Sequence, residues 1–278
     1  MRAAVLLAGC LCCASVSAES ASTETSRSNH AVVERFVEQF YVQRDVKGAF
    51  ETFVVDDYIQ HNPGLEDGRA AAEAALTPMF AASGAEFDVK HVLIDGDMAL
   101  IHLFGRGDPN TAGAAVADLY RLKAGRVVEH WDVIQPITAA TQPLASSGIP
   151  MTRAETAKNR AVMRRFIDTL YGNKQVALAY RRFVAVNLIE HSPGRAAGRD
   201  AAIAALSPLF ASPSASFMVE HVLVDGNFAA VHYRGRIDAQ GPGAAVVEIF
   251  RLQDGEIAEH WDVYQPIPQS SKNPHPMF

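Results

Sequence analysis

Glu129-His130-Trp131-Asp132-Val133, followed by Gln135-Pro136-Ile137, is the stretch that decides the fold of this chain. The same residues recur 130 positions later, as Glu259-His260-Trp261-Asp262-Val263 and Gln265-Pro266-Ile267. Extending this offset aligns nearly everything between Asn29 and Pro268 without a gap. A repeat of this length is a whole domain, since solenoid repeats have periods of ~20–50 residues. The chain is therefore a tandem duplication.

The duplication divides the 278 residues into two domains, which we place at 29–137 and 159–268. Each unit of about 110 residues is large enough to have its own core, and the 49% content of hydrophobic residues agrees with that. Residues 138–158 are rich in Ala, Ser, Thr and Pro. We interpret them as a linker with some flexibility.

The first residues form a separate segment. Arg2 precedes the apolar run Ala3–Cys13, and small residues follow up to Ala18. These are the charged, apolar and small-residue parts of a signal peptide, so we predict residues 1–18 to be removed on export to the periplasm or medium. A lipoprotein attached through Cys10 is the less favoured alternative. All three cysteines lie in this segment, so the mature domains contain no disulfide.

The charge balance excludes two classes of partner. Without Arg2, 24 basic residues face 31 acidic ones, a balance of −7. Nucleic acid or an anionic membrane surface calls for a basic face. Beyond the signal segment, no apolar run approaches the ~20 residues of a membrane helix. We therefore predict neither nucleic acid nor membrane as a partner of the mature protein.

The periodicity of apolar residues changes within each unit. After Asn29, apolar residues recur at helical spacing and predict a first helix. A second short helix follows around Phe50. An alanine-rich third helix begins after Gly68-Arg69, and Pro78 interrupts it. From Glu86 the period is two, and turn residues separate four strands. Three helices followed by an antiparallel meander indicate an α+β fold.

Candidate chemistry gathers on the last strand, where period two puts His130 and Asp132 on one face and Trp131 on the other. A three-residue turn at Gly125 would bring Asp118 beside His130 and Asp132, so that His102 could join them in one cavity. A two-residue turn would bring Asp118 beside Trp131 instead.

These alternatives carry different functions. A carboxylate in an apolar cavity has a raised pKa and acts as a general base, with histidines as donors or acids. Alternatively, Trp131 packs in a core while His130 and Asp132 pair with neighbouring strands. His61 either points into the cavity or bonds backbone near Pro63-Gly64. Metal ligation by His102, His130 and Asp132 lacks a spacing signature, so we predict no metal and no cofactor.

Four motifs together resemble the SnoaL-like polyketide cyclase family: Tyr58–Pro63, Asp95-Gly96-Asp97, Asp118–Arg121 and Glu129–Pro136. That family belongs to the superfamily of nuclear transport factor 2 and ketosteroid isomerase. The resemblance implies two cone-shaped units, each with three N-terminal helices packed on a curved antiparallel sheet around an apolar pocket. It also implies that the two sheets pair as an intramolecular pseudo-dimer.

The resemblance further implies roles for individual residues. In the cyclases an aspartate removes a proton next to a carbonyl; Asp132 and Asp262 are the candidates, with Asp118 as the rival in the first unit. His102 and His232 would be donors or acids. The remaining candidate site residues are His61, His130, His191, Glu248 and His260.

The expected function is that of an exported, cofactor-independent acid-base enzyme, an aldol cyclase, isomerase or lyase, acting on a small apolar carbonyl compound. The alternatives are a non-catalytic protein that binds a small hydrophobic ligand and a module for protein association. The copies differ at three relevant positions: Glu248 replaces Asp118, Leu188 replaces Tyr58 and Ser192 replaces Asn62. The two pockets therefore need not be equivalent.

Overall fold

The structure is a computed structural model that describes residues 28–138 and 153–278. The predicted signal peptide and most of the predicted linker lie outside these residues. Within the described residues, no helix combines the length and apolarity needed to span a membrane.

The first unit contains three helices and five strands. These are α1 (residues 28–37, continued by a π-helical turn at Glu38–Val42), α2 (Val46–Phe53), β1 (Val54–Gln60), α3 (Arg69–Ala81), β2 (Glu86–Asp95), β3 (Met98–Arg106), β4 (Ala114–Lys123) and β5 (Arg126–Pro136). Helix α1 forms because its apolar residues lie on one face, where Val33, Phe36 and Phe40 are buried.

The second unit repeats this order. Its elements are α4 (Arg153–Ile167, continued by a π-helical turn at Asp168–Gly172), α5 (Val176–Phe183), β6 (Val184–Glu190), α6 (Arg199–Phe210), β7 (Ser216–Asp225), β8 (Phe228–Arg236), β9 (Ala244–Gln253) and β10 (Glu256–Pro266). Helix α4 begins inside the stretch 138–158, so the last residues of the predicted linker are helical. The predicted α+β architecture of two units is confirmed.

Two details differ from the prediction. Pro78 does not interrupt α3, which continues to Ala81. The proline removes only the one backbone hydrogen bond that its own nitrogen would donate to the carbonyl of Ala74, and the Thr77 hydroxyl donates to the carbonyl of Glu73. The second detail is the strand β1, which pairs with β5 in parallel and completes a five-stranded sheet of order β1-β5-β4-β3-β2.

The β4–β5 hairpin combines a tight turn with a bulge. Lys123 pairs with Arg126, so the turn has two residues, Ala124 and Gly125, both with positive φ. The register then shifts, because Leu122 pairs with Val127 while Arg121 pairs with Glu129. The extra residue, Val128, is a β-bulge. Neither turn considered in the sequence analysis is correct by itself, because the bulge restores the register in which Asp118 pairs with Asp132.

The two faces of each sheet have different roles. Residues of one face, such as Ile101 and Tyr120, pack with the helices in the core of their own unit. Residues of the other face pack against the sheet of the other unit. Both tryptophans lie in this shared core together with other apolar residues from the two units, among them Leu93, Leu100, Leu119, Leu223, Val247 and Ile249.

Hydrogen bonds between the units are reciprocal. The backbone N–H of Ile94 donates to Asp225 Oδ2 at 2.9 Å, and that of Val224 donates to Asp95 Oδ2 at 2.9 Å. Ile94 and Val224 are equivalent in the duplication, and so are Asp95 and Asp225. Such exchange of equivalent contacts is the signature of a two-fold interface.

Candidate functional site

The first unit encloses a cavity of about 480 Å³ between its helices and its sheet. Most of its lining is apolar, with Phe40, Phe50, Leu76, Phe80, Phe87 and Leu103 among the residues. Its polar lining includes eight side chains from α1, β1, β4, β5 and the loop after β1: Tyr41, Tyr58, Gln60, Asn62, Asp118, Tyr120, His130 and Asp132. A small group of polar residues in an apolar concave site is typical of ligand pockets.

Asp132 is a buried carboxylate that accepts a hydrogen bond at only one of its two oxygens among the described residues. Only 5% of the residue is exposed. Its Oδ2 accepts a hydrogen bond from Asn62 Nδ2 at 2.5 Å, whereas Oδ1 is buried and has no hydrogen-bond partner among the described residues. Asn62 is well placed for this contact, because its own Oδ1 accepts from the N–H of Gly64 at 2.6 Å and so fixes the amide.

Burial raises the pKa of Asp132 to about 6, since the charged form is poorly solvated in the apolar cavity. The neighbouring His130 opposes this by favouring the carboxylate, whereas the charge of Asp118 raises the pKa further. The hydrogen bond from Asn62, like the charge of His130, lowers the pKa of Asp132. A carboxyl with this pKa is mostly ionised at pH 7 but still accepts a proton readily.

Asp118 and His130 form a hydrogen-bonded pair. His130 Nδ1 lies 3.0 Å from Gln60 Oε1, and Nε2 lies 3.2 Å from Asp118 Oδ1. Gln60 Oε1 also accepts from the N–H of Asn62, so it is an acceptor and Nδ1 of His130 must donate to it. Either the imidazole is doubly protonated beside a carboxylate, or Asp118 holds the second proton. This pair is therefore a proton source beside Asp132.

Tyrosine hydroxyls complete the polar cluster. Tyr41 donates to Asp118 Oδ2 at 2.6 Å and lies 2.7 Å from the hydroxyl of Tyr120. Because Tyr41 gives its only hydrogen to Asp118, the second bond takes its hydrogen from Tyr120. Burial raises the pKa of both hydroxyls well above the usual 10, and the charge of Asp118 adds to this. Both remain protonated donors at neutral pH.

His102 does not join this cluster, so its expected place in the pocket is wrong. It lies on the opposite face of β3, fully buried, with Nδ1 3.0 Å from Nδ1 of His91. His232 has the same arrangement with His221 at 3.1 Å. Burial lowers the pKa of His102 and of His232 to about 3, so both are neutral. Strand alternation decides this, because Ile101 and Leu103 take the positions that face the cavity side.

His61 and His191 also lie outside the pockets, at the interface between the units. His61 stacks on Trp131 with 4.6 Å between ring centroids, and its Nε2 lies 2.9 Å from Glu129 Oε1. His191 stacks on Trp261 and lies 2.8 Å from Glu259 Oε1. These two histidines therefore contact the Glu and Trp of the repeated Glu-His-Trp-Asp motif on the sheet face opposite the cavities.

The second unit has a cavity of about 430 Å³, but its charges are paired. Arg195 occupies the position of Leu65, and its Nη2 lies 3.4 Å from Asp262 Oδ2. The carboxylate surroundings of Arg195, led by Asp262, raise its pKa above the usual value despite its burial. Asp262 therefore faces a permanent cation and forms an ion pair with it, whereas Asp132 has an asparagine as its neighbour.

Other substitutions extend the difference. Glu190 replaces Gln60, and its Oε1 lies 2.8 Å from His260 Nδ1. His260 lowers the pKa of Glu190 to about 2, although burial acts in the opposite direction, and Glu190 raises that of His260. Glu248 accepts hydrogen bonds from Tyr171 and, at 3.0 Å, from Tyr233. The second cavity is thus lined by the ion pair of Arg195 and Asp262, whereas the first is lined by Asp132, whose Oδ1 has no hydrogen-bond partner among the described residues.

Asp118, His130 and Asp132 each offer a ligand atom within 4.8 Å of the others, a spacing that a cation would fit. Both nitrogens of His130 are already hydrogen-bonded, so a metal would have to displace Asp118 or Gln60. The arrangement favours proton transfer over metal ligation.

Several residues at these two sites were not predicted from the sequence. Tyr120 was within reach, since it shares its strand face with Asp118. Gln60 and Asn62 belong to a quoted motif, but only the parallel pairing of β1 with β5 brings them to His130 and Asp132. Arg195 was detectable as a charged residue aligned with Leu65.

Comparisons with known proteins agree with this architecture. The family described as SnoaL-like domain matches residues 33–130 and 161–260, more than half of the chain. No curated protein matches.

Solved structures match single units. An NTF2-like protein of unknown function from Mesorhizobium loti is 25% identical (TM-score 0.38; 42% of this chain, 99% of the other). A protein of Jannaschia sp. CCS1, provisionally described as a SnoaL-like polyketide cyclase, is 24% identical (TM-score 0.35; 42% and 91%). One of Kribbella flavida DSM 17836, provisionally described as a ketosteroid isomerase, is 21% identical (TM-score 0.35; 44% and 85%).

Proposed function

The chain belongs to the SnoaL-like domain family, as its motifs predicted, and we propose that the cavity of its first unit is an acid-base site of the isomerase, lyase or aldol-cyclase type. The substrate class is a small apolar carbonyl compound, and the chemistry needs no cofactor. One observation carries the proposal: Asp132 is a buried carboxylate in an apolar cavity, and one of its oxygens has no hydrogen-bond partner among the described residues.

Asp132 acts as the general base. With a pKa of about 6 it is ionised at neutral pH and strong enough to take a proton from carbon next to a carbonyl. The two oxygens have separate tasks. Asn62 holds Oδ2 and orients the carboxylate, which leaves Oδ1 to accept the proton.

The negative charge that develops on the carbonyl oxygen needs a donor. Tyr58 lines the cavity, and burial raises its pKa well above the usual value, so it keeps its proton at neutral pH. The pair of Asp118 and His130 holds a further proton that can be delivered to the substrate. Donors fixed in advance in an apolar site stabilise an enolate better than water does, because they need no reorganisation.

The second unit has a different task. Its aspartate is paired with Arg195, so we propose that this cavity binds a small hydrophobic molecule without proton abstraction. This is the non-catalytic alternative restricted to one unit.

The reciprocal contacts between the sheets support a further proposal, that the two units work as an intramolecular pseudo-dimer. Export of the protein rests on residues 1–18 alone.

Deuterium incorporation tests the base directly. A panel of small apolar ketones is incubated with the protein in D₂O, and loss of the proton next to the carbonyl is followed by NMR. This readout needs only proton abstraction, so the final product need not be known. We expect exchange with at least one ketone, and we expect Asp132→Asn to abolish it.

Asp262→Asn is the matched control, because it makes the same change at the equivalent position of the second unit. It should leave the exchange unchanged. If ketones bind but none exchanges, the first cavity only binds ligands. Equal losses for Asp132→Asn and Asp262→Asn would contradict the assignment of the base to the first unit.

A further inference from the structure

The C-terminal residues 268–278 leave the second unit and lie against the first. They contact the loop 61–67, which follows β1 and carries Asn62. The N–H of Lys272 donates to the carbonyl of Pro63 at 2.9 Å. The last two residues pack nearby between the units: Met277 is 4% exposed in the shared core, and Phe278 stacks on His232.

Asn273 makes the most specific contact with this loop. It is 7% exposed, and its Nδ2 donates to the carbonyls of Asn62 and Leu65, at 2.7 and 2.9 Å. Its Oδ1 accepts from the N–H of His275 at 3.0 Å, which fixes the orientation of the amide. A buried amide that donates both of its hydrogens to the carbonyls of one loop holds the backbone of that loop in place.

The first connection to the active site runs through Asn62. Its backbone is held by Asn273, and its side chain donates to Asp132. A displacement of this loop would therefore change the orientation of the base and remove a hydrogen bond from its carboxylate.

The second connection runs through Asp67. His275 Nε2 lies 2.9 Å from Asp67 Oδ2, while Asp67 Oδ1 accepts from the N–H of Gln60 at 2.9 Å. Gln60 in turn accepts from His130. The tail thus reaches both the base and the Asp118–His130 pair, by separate chains of hydrogen bonds.

We infer that the C-terminal tail of the second unit is a positioning element for the acid-base site of the first unit, with Asn273 and His275 as its positioning residues. The second unit would then serve the first cavity directly, in addition to packing against its sheet. This inference rests on the proposed function of Asp132 for its meaning, but the contacts can be tested without turnover.

The experiment measures two quantities in the full-length mature protein: the pKa of the Asp132 carboxyl by ¹³C NMR, and amide hydrogen exchange at Asn62 and Gly64. Asn273→Ala should speed exchange at both amides at least tenfold. It should also raise the pKa of Asp132, because the hydrogen bond from Asn62 favours the charged form. His275→Ala, a milder change at a partly exposed residue, should act in the same direction if Asn273→Ala does not fold.

Lys272→Ala is the control, since the exposed side chain is lost while the backbone contact remains. It should change neither quantity. In an Asn62→Ala background, Asn273→Ala should produce no further change in the pKa of Asp132, because both act through one contact.

The outcomes separate the two ideas. If Asp132 titrates near 6 in the parent protein and Asn273→Ala changes neither the pKa nor the exchange, the positioning role of the tail is refuted while the base assignment stands. If Asp132 titrates near its ordinary value, the proposed function fails. The exchange at Asn62 and Gly64 then still decides whether the tail holds the loop.

Discussion

Replacing Asp132 by asparagine should stabilise the folded protein at neutral pH and have little effect at pH 4. The fold raises the pKa of this carboxyl from 3.8 to about 6. A carboxyl whose pKa is raised by folding stabilises the folded protein fully at pH values below its pKa in the unfolded chain. This stabilisation is lost as the pH rises through its pKa in the folded protein. A difference of about two pH units corresponds to about 3 kcal/mol. Since asparagine does not ionise, the variant avoids this loss above pH 7.

The assay is urea denaturation at about pH 4 and about pH 7.5, followed by fluorescence of Trp131 and Trp261, which are buried between the units. The free energy of unfolding of Asp132→Asn, relative to the parent, should rise by up to about 3 kcal/mol between the two pH values. Asp262→Asn should instead destabilise at pH 7.5, because it leaves Arg195 without its ion-pair partner. A gain for Asp132→Asn that is equal at both pH values would refute the reasoning.

Three further changes test the surroundings of the site. Asn62→Ala should raise the pKa of Asp132 further, by on the order of one pH unit, since a hydrogen bond to a charged group contributes ~1.5–3 kcal/mol; the pH profile of ketone exchange would show it. Arg195→Leu should destabilise the protein by leaving the mostly buried Asp262 without its ion-pair partner. Adding Asp262→Asn should recover part of the lost free energy of unfolding, as measured by urea denaturation. His102→Gln should reduce the decrease in the free energy of unfolding as the pH is lowered from 6.5 to 4. Because the pKa of His102 is lowered in the folded protein, acid protonates this residue in the unfolded chain first and so favours unfolding. Denaturation midpoints across this pH range measure the slope.

The sequence by itself determined the duplication, the order of the three helices and of four of the five strands in each unit, and the opposite orientations of Asp132 and Trp131. These follow from local properties, because repeats and hydrophobic periods are properties of neighbouring residues and successive strand residues face opposite sides. The family resemblance followed from the same motifs. The strand β1 was missed because its polar centre, Asp56-Asp57, breaks the expected alternation.

The tertiary structure decided which residues meet. Asp118 faces Asp132 because Val128 forms a bulge, and a one-residue shift of register moves every side chain to the other face. His102 lies outside the site because successive side chains of β3 point to opposite faces of the sheet. The contacts of Asn62 with Asp132, and of Arg195 with Asp262, join residues about 70 positions apart in the chain. A pKa depends on burial and on such long-range neighbours, so only the folded structure shows that Asp132 lacks an ion-pair partner while Asp262 pairs with Arg195.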